Sequence, residues 1–499
     1  MGDIPFNTHV YTMINVNKQS NQINYGTLFG VVFAIKWLIY LVDSNVQFFI
    51  GDSISYIHTA RTGWIPEDRS FLYGFFIRWI SSVSHSLSSV VGGQILLSGI
   101  VAVGLGFILK EYLSVRKGIA LSFAIICALE PLQLMFERYV MTESICLAVF
   151  VLYLTMVLGY LKRPRFFAIV GISGLGVLLI AFRISFLPVV VIGAFLIPLL
   201  AAREKIQKLF FAAPGTAGEK RKIAWALGLH LVLMGGGTLG GLQGYQYLNG
   251  ALSEKRPAFQ YENGFFLIAS WAPVLKKQDF PIQEEADAIF DNLPFDLKDY
   301  RFRESQRWLP DCLVGRIKAR FKEPGRANQL SLETARNALK RDPLGVINLA
   351  WLTYRDFWIS AQLDEALHWD RGERPLPKEF STILLKDYSL NAEDFPQRKT
   401  LTNQYFFHAV PWYYIVLLLP VIVLLTLFSC REGQMMPLGY LGGVVGLLFL
   451  LSFGVVSKTV VRYLHPLAWC VLLFFGVLVN NYMILLEKYI RRVAMEQKS

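Results

Sequence analysis

Ten apolar stretches, several close to the roughly 20 residues a helix needs to cross a bilayer, constrain this 499-residue chain more than any motif in it. They fall near 25–42, 90–109, 118–131, 143–160, 166–181, 184–201, 223–241, 410–428, 437–456 and 467–486. With 54% hydrophobic and only 17% charged residues, the chain cannot clothe several soluble domains, so the bilayer is its solvent. Disordered and fibrous classes are excluded on the same ground. Cys127, Cys146, Cys312, Cys430 and Cys470 show no CxxC spacing, which argues against a zinc site or a disulfide framework. The fold expected is mainly α: a polytopic transmembrane bundle of about ten helices, with interfacial helices and a mainly helical extracytoplasmic domain. The shorter stretches need flanking residues to complete a span.

A net charge of +12 raises the question of nucleic acid, and its distribution answers it. With the N-terminus placed inside, the segments 1–24, 110–117, 161–165, 203–222, 430–434 and 487–499 hold 18 Lys and Arg against 7 Asp and Glu. Residues 244–408, on the other side, hold 23 of each sign and are neutral. The excess is the positive-inside signal of a polytopic protein, and no nucleic-acid partner is needed to explain it. No cleavable signal peptide is evident, since the first 24 residues are polar and the first apolar stretch lacks a small-residue cleavage site. The chain divides into an N-terminal transmembrane module over 1–243, an outer domain over 244–408, and C-terminal helices with a basic tail over 409–499. Helical signals in the outer part cover 281–293, 311–321, 331–341 and 342–363, with Asp342 as a cap and Pro343 in the first turn. The only linker-like piece is 211–222, on the inner side.

Ionisable residues beside apolar spans are costly and tend to mark function. Here they collect in four short outer loops. VDSNVQFFIGDSISYIHTARTGW carries Asp43, Asp52 and Tyr56; EPLQLMFERYVMTES carries Glu130, Glu137, Arg138 and Glu143; AFRISFLP carries Arg183; SKTVVRYLHP carries Lys458, Arg462, Tyr463 and His465. Taken singly, each can be an interfacial residue that snorkels and positions a helix end. As a set they are harder to explain so, because three outer loops hold an arginine at an apolar boundary against the positive-inside rule. A guanidinium held there wants an anion, and a phosphate suits its planar fork. Asp52, acceptor-only when ionised, can then take a proton from an attacking hydroxyl. Between the loops, RSFLYGFFIRWI from Arg69 reads either as a helix lying in the interface or as a short helix packing over the bundle.

GDSISY after the first helix, an interfacial helix, ERYVMTES, FRISFLP and VVRYLHP, in that order, resemble the GT-C glycosyltransferases over about 25–200 and 440–485. That superfamily includes protein O-mannosyltransferases, aminoarabinose transferases of lipid A and arabinofuranosyltransferases of mycobacterial walls. The resemblance implies an inverting transfer from a polyprenyl-phosphate sugar to an envelope glycan or glycolipid, at the outer face of a cytoplasmic membrane. It places the catalytic base at Asp52 and a second acid at Glu143, with Arg138, Arg183, Arg462, Tyr463 and His465 around the donor phosphate. Many relatives follow the first-loop aspartate with another acid; here Ser53 stands next, which leaves the helper role between Glu143 and Asp43. Tyr56, Glu137 and Lys458 are further candidates. The chemistry needs no metal, although Mg²⁺ or Mn²⁺ suits such carboxylates. A protein acceptor is the alternative within enzymes, and a lipid-linked sugar transporter or flippase the alternative outside them; a transporter predicts inverted repeats and midplane charges.

Other signals are set aside. Gly235, Gly237 and Gly240 match a dinucleotide-binding spacing but lie in an apolar helix with no strand before it, so they read as helix packing. His85 and His408 are isolated, and Lys36 is read as snorkelling or facing a neighbour.

Overall fold

Asn24, whose side chain accepts from the Thr27 backbone N–H, opens the first helix of the computed structural model, which describes residues 23–211, 217–371, 376–392 and 400–497. The polar N-terminal segment up to residue 22, and 212–216 of the linker-like loop, lie outside the described residues. In chain order the helices are α1 Tyr25–Val42, α2 Ile50–Thr62, α3 Leu72–Ser84, α4 Leu87–Phe107, α5 Lys117–Ala128, α6 Pro131–Phe136, α7 Glu143–Lys162, α8 Phe166–Phe182, α9 Leu187–Phe211 and α10 Ala217–Ser253. Next come α11 Asn263–Ser270, α12 Gln283–Phe290, α13 Arg303–Trp308, α14 Leu313–Arg320, α15 Pro324–Arg341, α16 Pro343–Asp356, α17 Ser360–Arg371, α18 Lys378–Tyr388 and α19 Leu401–His408. The chain closes with α20 Val410–Leu417, α21 Leu419–Phe428, α22 Met435–Gly454 and α23 His465–Glu496. Among the described residues the only β pairing is an isolated bridge between Gln47 and Tyr139.

Seven of these helices are long and apolar enough to cross a membrane, eight if α20 and α21, bent by 54°, form one span. Two of the ten expected spans, α5 and α8, are apolar helices of 12 and 17 residues. Among the described residues the fold is therefore a helical bundle with several helices of membrane-spanning length and apolarity. The bend has a local cause: Pro420 has no N–H to donate to the Val416 carbonyl four residues back, and at the break the Leu417 carbonyl accepts from the Tyr354 hydroxyl (3.0 Å). Gly235 and Gly241 of α10 lie where a Cβ would meet Phe195 at 2.8 Å and Val177 at 2.7 Å, so these glycines let α10 approach its neighbours closely.

Between α10 and α19 the chain is helical, as expected, with adjustments. Helix α10 continues to Ser253, beyond the expected boundary at 243. Residues 342–363 form two helices instead of one; the Asp342 side chain accepts from the Gly345 N–H and Pro343 fills the first turn of α16. This region has its own apolar core, including Phe265, Ile268, Phe280, Leu313, Ile317 and Ala335. It is fastened to the loop after α22: Trp271 Nε1 donates to the Gly454 carbonyl (2.8 Å) and Arg303 Nη1 to that of Val456 (3.1 Å).

Two glycines set how α2 meets α3. Gly63, at φ +79°, ends α2 in the left-handed conformation. Gly74 of α3 lies so close to α2 that a Cβ would sit 2.5 Å from the Thr59 side chain and 3.0 Å from the Tyr56 carbonyl. Helix α3 packs over the bundle, burying Tyr73, Gly74 and Ile77, and exposes Trp79 (76%) and Val83 (90%). Gly74→Ala is expected to cost about 1–3 kcal/mol by overpacking, whereas Gly92→Ala, with open space beside it, is expected to leave thermal stability unchanged. Equal melting temperatures for the two variants in detergent would contradict close packing of α3 on α2.

Candidate functional site

Asp52 lies in the first turn of α2, where the helix N-terminus favours a carboxylate. That turn is held from behind. Phe49 N–H donates to Ser53 Oγ (2.9 Å), and the Ser53 hydroxyl donates to the Val140 carbonyl (2.9 Å). Gln47 pairs by backbone hydrogen bonds with the Arg138 carbonyl and the Val140 N–H, so the loop between α1 and α2 is registered on the 137–142 segment. Ser53 thus anchors the turn.

Each oxygen of Asp52 meets a guanidinium: Oδ1 accepts from Arg69 Nη1 and Oδ2 from Arg462 Nη1, both at 2.6 Å. Arg69 arrives from the loop before α3, where Asp68 clasps it through two further hydrogen bonds. Arg462 comes from the short 3₁₀ turn before α23 and lies over the Phe49 ring (4.8 Å) and its neighbour Tyr463 (5.4 Å). The same Tyr463 ring stacks beneath Arg183 (4.9 Å), and Arg183 Nη1 is 3.5 Å from Glu143 Oε1. One continuous run therefore leads from Arg69 through Asp52, Arg462, Tyr463 and Arg183 to Glu143. It joins the ends of helices that are far apart in sequence. The buried Tyr56 flanks it beneath Arg69, its hydroxyl meeting Thr142.

Burial alone would raise the Asp52 carboxyl pKa, but Arg69 and Arg462 outweigh it and hold the group well below the usual carboxylate range. The two guanidiniums thus favour the anionic form of Asp52, and 21% of its side chain is still open. Since the folded state depresses this pKa, the ion pairs stabilise the fold above the ordinary aspartate value. That contribution is lost as pH falls through the folded value. Burial pushes the Tyr56 phenol up, so it remains a protonated donor. Glu143 is almost fully buried and its Oε2 has no hydrogen-bond partner.

Other expected residues lie elsewhere. Arg138 and Glu137 form a fully buried group with Lys36: Glu137 Oε2 accepts from Lys36 Nζ (2.7 Å) and Oε1 from Arg138 Nη1 (2.8 Å), while Arg138 also donates to the Leu134 and Asp43 carbonyls. Arg138 thus braces the loop behind Asp52 and does not join the arginines in front of it. Lys36 faces a neighbour instead of snorkelling. Asp43 accepts from the backbone N–H and the hydroxyl of Thr402, pinning the start of α19 to the end of α1. His465 is buried against Phe136, its Nε2 3.0 Å from Gln133 Oε1. Lys458 pairs with Glu304 (2.9 Å) over the Trp369 ring.

Removing the carboxylate of Glu137 leaves two buried cations uncompensated, which costs about 3–5 kcal/mol. Glu137→Gln should therefore unfold at markedly lower temperature, and adding Lys36→Met should recover part of the loss; equal stability of wild type and the single variant would refute a structural role.

Sequence reasoning misses one arginine of the site, Arg69, and a second that lies apart from it, Arg307. Arg69 reads there only as the start of an interfacial helix, though it too is an arginine at an apolar boundary. Arg307 of α13 is 9% exposed and lies between the Phe266 and Trp308 rings, and its Nη2, 3.7 Å from Glu262, has no hydrogen-bond partner. Burial lowers its pKa to about 10, and the charges of Asp68 and Arg69 reach it. No sequence signal distinguishes it among the 23 basic residues of 244–408. Among the described residues no group of three or more His, Cys, Asp or Glu is placed to hold a metal ion. A divalent cation at Asp52 would have to displace Arg69 or Arg462. Comparison with protein-family models, with curated proteins and with solved structures finds no match.

Proposed function

We propose that this chain is an inverting membrane glycosyltransferase, which moves a sugar from a polyprenyl-phosphate donor to a hydroxyl of an envelope glycan or glycolipid. The observation that carries the proposal is the carboxylate of Asp52 bridged by Arg69 and Arg462 at one end of an apolar helix bundle. In this proposal the guanidiniums of Arg69, Arg183 and Arg462 receive the phosphate of a bilayer-embedded lipid. On this reading the donor phosphate takes hydrogen bonds from Arg462 and Arg183, and Asp52 is freed from one of its partners. Its oxygen then accepts the proton of the acceptor hydroxyl as that oxygen bonds to the anomeric carbon. The bond from that carbon to the phosphate oxygen breaks, and its electron pair leaves with the phosphate. The guanidiniums stabilise the charge gained there. Glu143, with a free buried oxygen beside Arg183, is suited to a sugar hydroxyl. The side of action in this account is the outer face of the cytoplasmic membrane.

A binding experiment tests the donor class. Purified wild type in nanodiscs should bind polyprenyl-phosphate sugars, with free polyprenyl phosphate competing, and should ignore nucleotide sugars, as read by native mass spectrometry. Preferential binding of nucleotide sugars would exclude this donor class.

A further inference from the structure

Helix α16 belongs by sequence to the neutral, non-spanning region, yet it carries an apolar stripe that no other described residue covers. Leu344, Ile347 and Trp351 are 75%, 51% and 59% exposed, at a spacing that aligns them on one face, and Trp358 extends the line just past the helix end. The opposite face, with Val346, Leu349, Ala350 and Thr353, is buried.

The depth of this helix decides what meets the stripe. Tyr354 packs on Phe449 (5.0 Å) and Phe453 (5.4 Å) near the end of the spanning helix α22, and its hydroxyl reaches the Leu417 carbonyl. Trp358 stacks on Tyr414 at 5.6 Å. At a rise of about 1.5 Å per residue, Phe449 lies roughly 7 Å inside the end of α22 and Leu417 roughly 10 Å inside the start of the α20–α21 pair. The C-terminal half of α16 is thus level with hydrocarbon-facing residues of the spans. Exposed Leu450 follows Phe449, and exposed Ile415 and Leu418 flank the Leu417 contact. Trp351, 5.5 Å from the Tyr354 ring, continues the same surface.

We infer that residues 343–359 are seated in the bilayer, with Leu344, Ile347, Trp351 and Trp358 facing lipid and the tryptophans at the depth where such rings anchor. The occupant of the stripe is acyl chain, and the helical region between α10 and α19 is held on the membrane by this helix. The inference uses the spanning helices alone and stands apart from the glycosyl-transfer proposal.

Nitroxide labels test it. On a Cys430→Ser background, in which Cys127, Cys146, Cys312 and Cys470 are buried, single cysteines are placed at Ile347 and Trp351. Leu450 on a spanning helix and the exposed Arg336 on α15 serve as the lipid and water references. In nanodiscs, the ratio of collisions with oxygen to collisions with a water-soluble nickel chelate should match that at Leu450 and exceed that at Arg336 several-fold. A ratio like that at Arg336 would place the stripe in water and overturn the inference. Suppressed collisions with both reagents would show a protein covering it, which overturns the inference equally. If the Trp351 variant fails to fold, the labels at Ile347 and at Leu344 decide.

Discussion

Asp52→Asn is expected to lower donor turnover by about 10²–10⁴-fold, the usual worth of a positioned general base, while donor affinity stays at least as strong as in wild type. The second half of this expectation comes from the structure. In the free protein Asp52 occupies the Arg462 guanidinium that the donor phosphate needs, so the carboxylate competes with the ligand for Arg462. Asparagine keeps the shape, loses the charge and lets Arg462 turn to the phosphate. A variant that loses donor binding in proportion to turnover would show that Asp52 only holds the arginines in place. Single-turnover kinetics with a separate binding measurement distinguish the two.

Arg462→Ala carries the second large effect. Losing a charged hydrogen-bond donor to the phosphate is worth about 1.5–3 kcal/mol in binding, and losing one that strengthens as charge develops costs about 10²–10³-fold in turnover. Arg462→Lys should recover little, because a lysine cannot hold Asp52 and a phosphate with one planar fork while stacked between Phe49 and Tyr463. The pH dependence has a definite sign. In wild type the depressed pKa of Asp52 keeps the base ionised, so kcat/KM shows no acid limb from it across the usual aspartate range. Without Arg462 the carboxyl moves up towards its ordinary value and an acid limb appears. A profile unchanged by the substitution, with turnover retained, would remove Arg462 from the site.

The same physical rule explains what can be read from the sequence and what cannot. A charge at an apolar boundary is costly, and this makes Asp52, Glu143, Arg183 and Arg462 legible without a structure. The rule is silent on where the compensating charge lies. Glu137 is neutralised by Lys36, 101 residues earlier, and Asp43 is satisfied by Thr402, 359 residues later, so both resemble site residues in the sequence and are internal fastenings in the fold. Arg138 falls with Glu137 for the same reason. Arg69 comes into view only once folding has placed it beside Asp68 and Asp52. Most apolar helices are legible from their composition, whereas the extension of α10 to Ser253 is not, because beyond residue 243 Gly244, Asn249, Gly250 and Ser253 give neither a continuous apolar run nor strong helix propensity. The break after Asp356 is equally silent, and so is the membrane-facing stripe of α16, whose meaning depends on the depth at which Tyr354 meets Phe449 and Leu417.

The central claim is that the arginine-bridged carboxylate breaks a sugar–phosphate bond. The most direct measurement reconstitutes wild type in sealed vesicles with a polyprenyl-phosphate sugar and a mixed envelope-acceptor extract, and follows the fate of the donor by mass spectrometry. The account predicts that free polyprenyl phosphate accumulates together with a glycosylated acceptor of inverted anomeric configuration, and that both are lost in Asp52→Asn. Donor that binds and moves between leaflets but is recovered uncleaved with every acceptor would contradict it, and would make the chain a transporter of lipid-linked sugars.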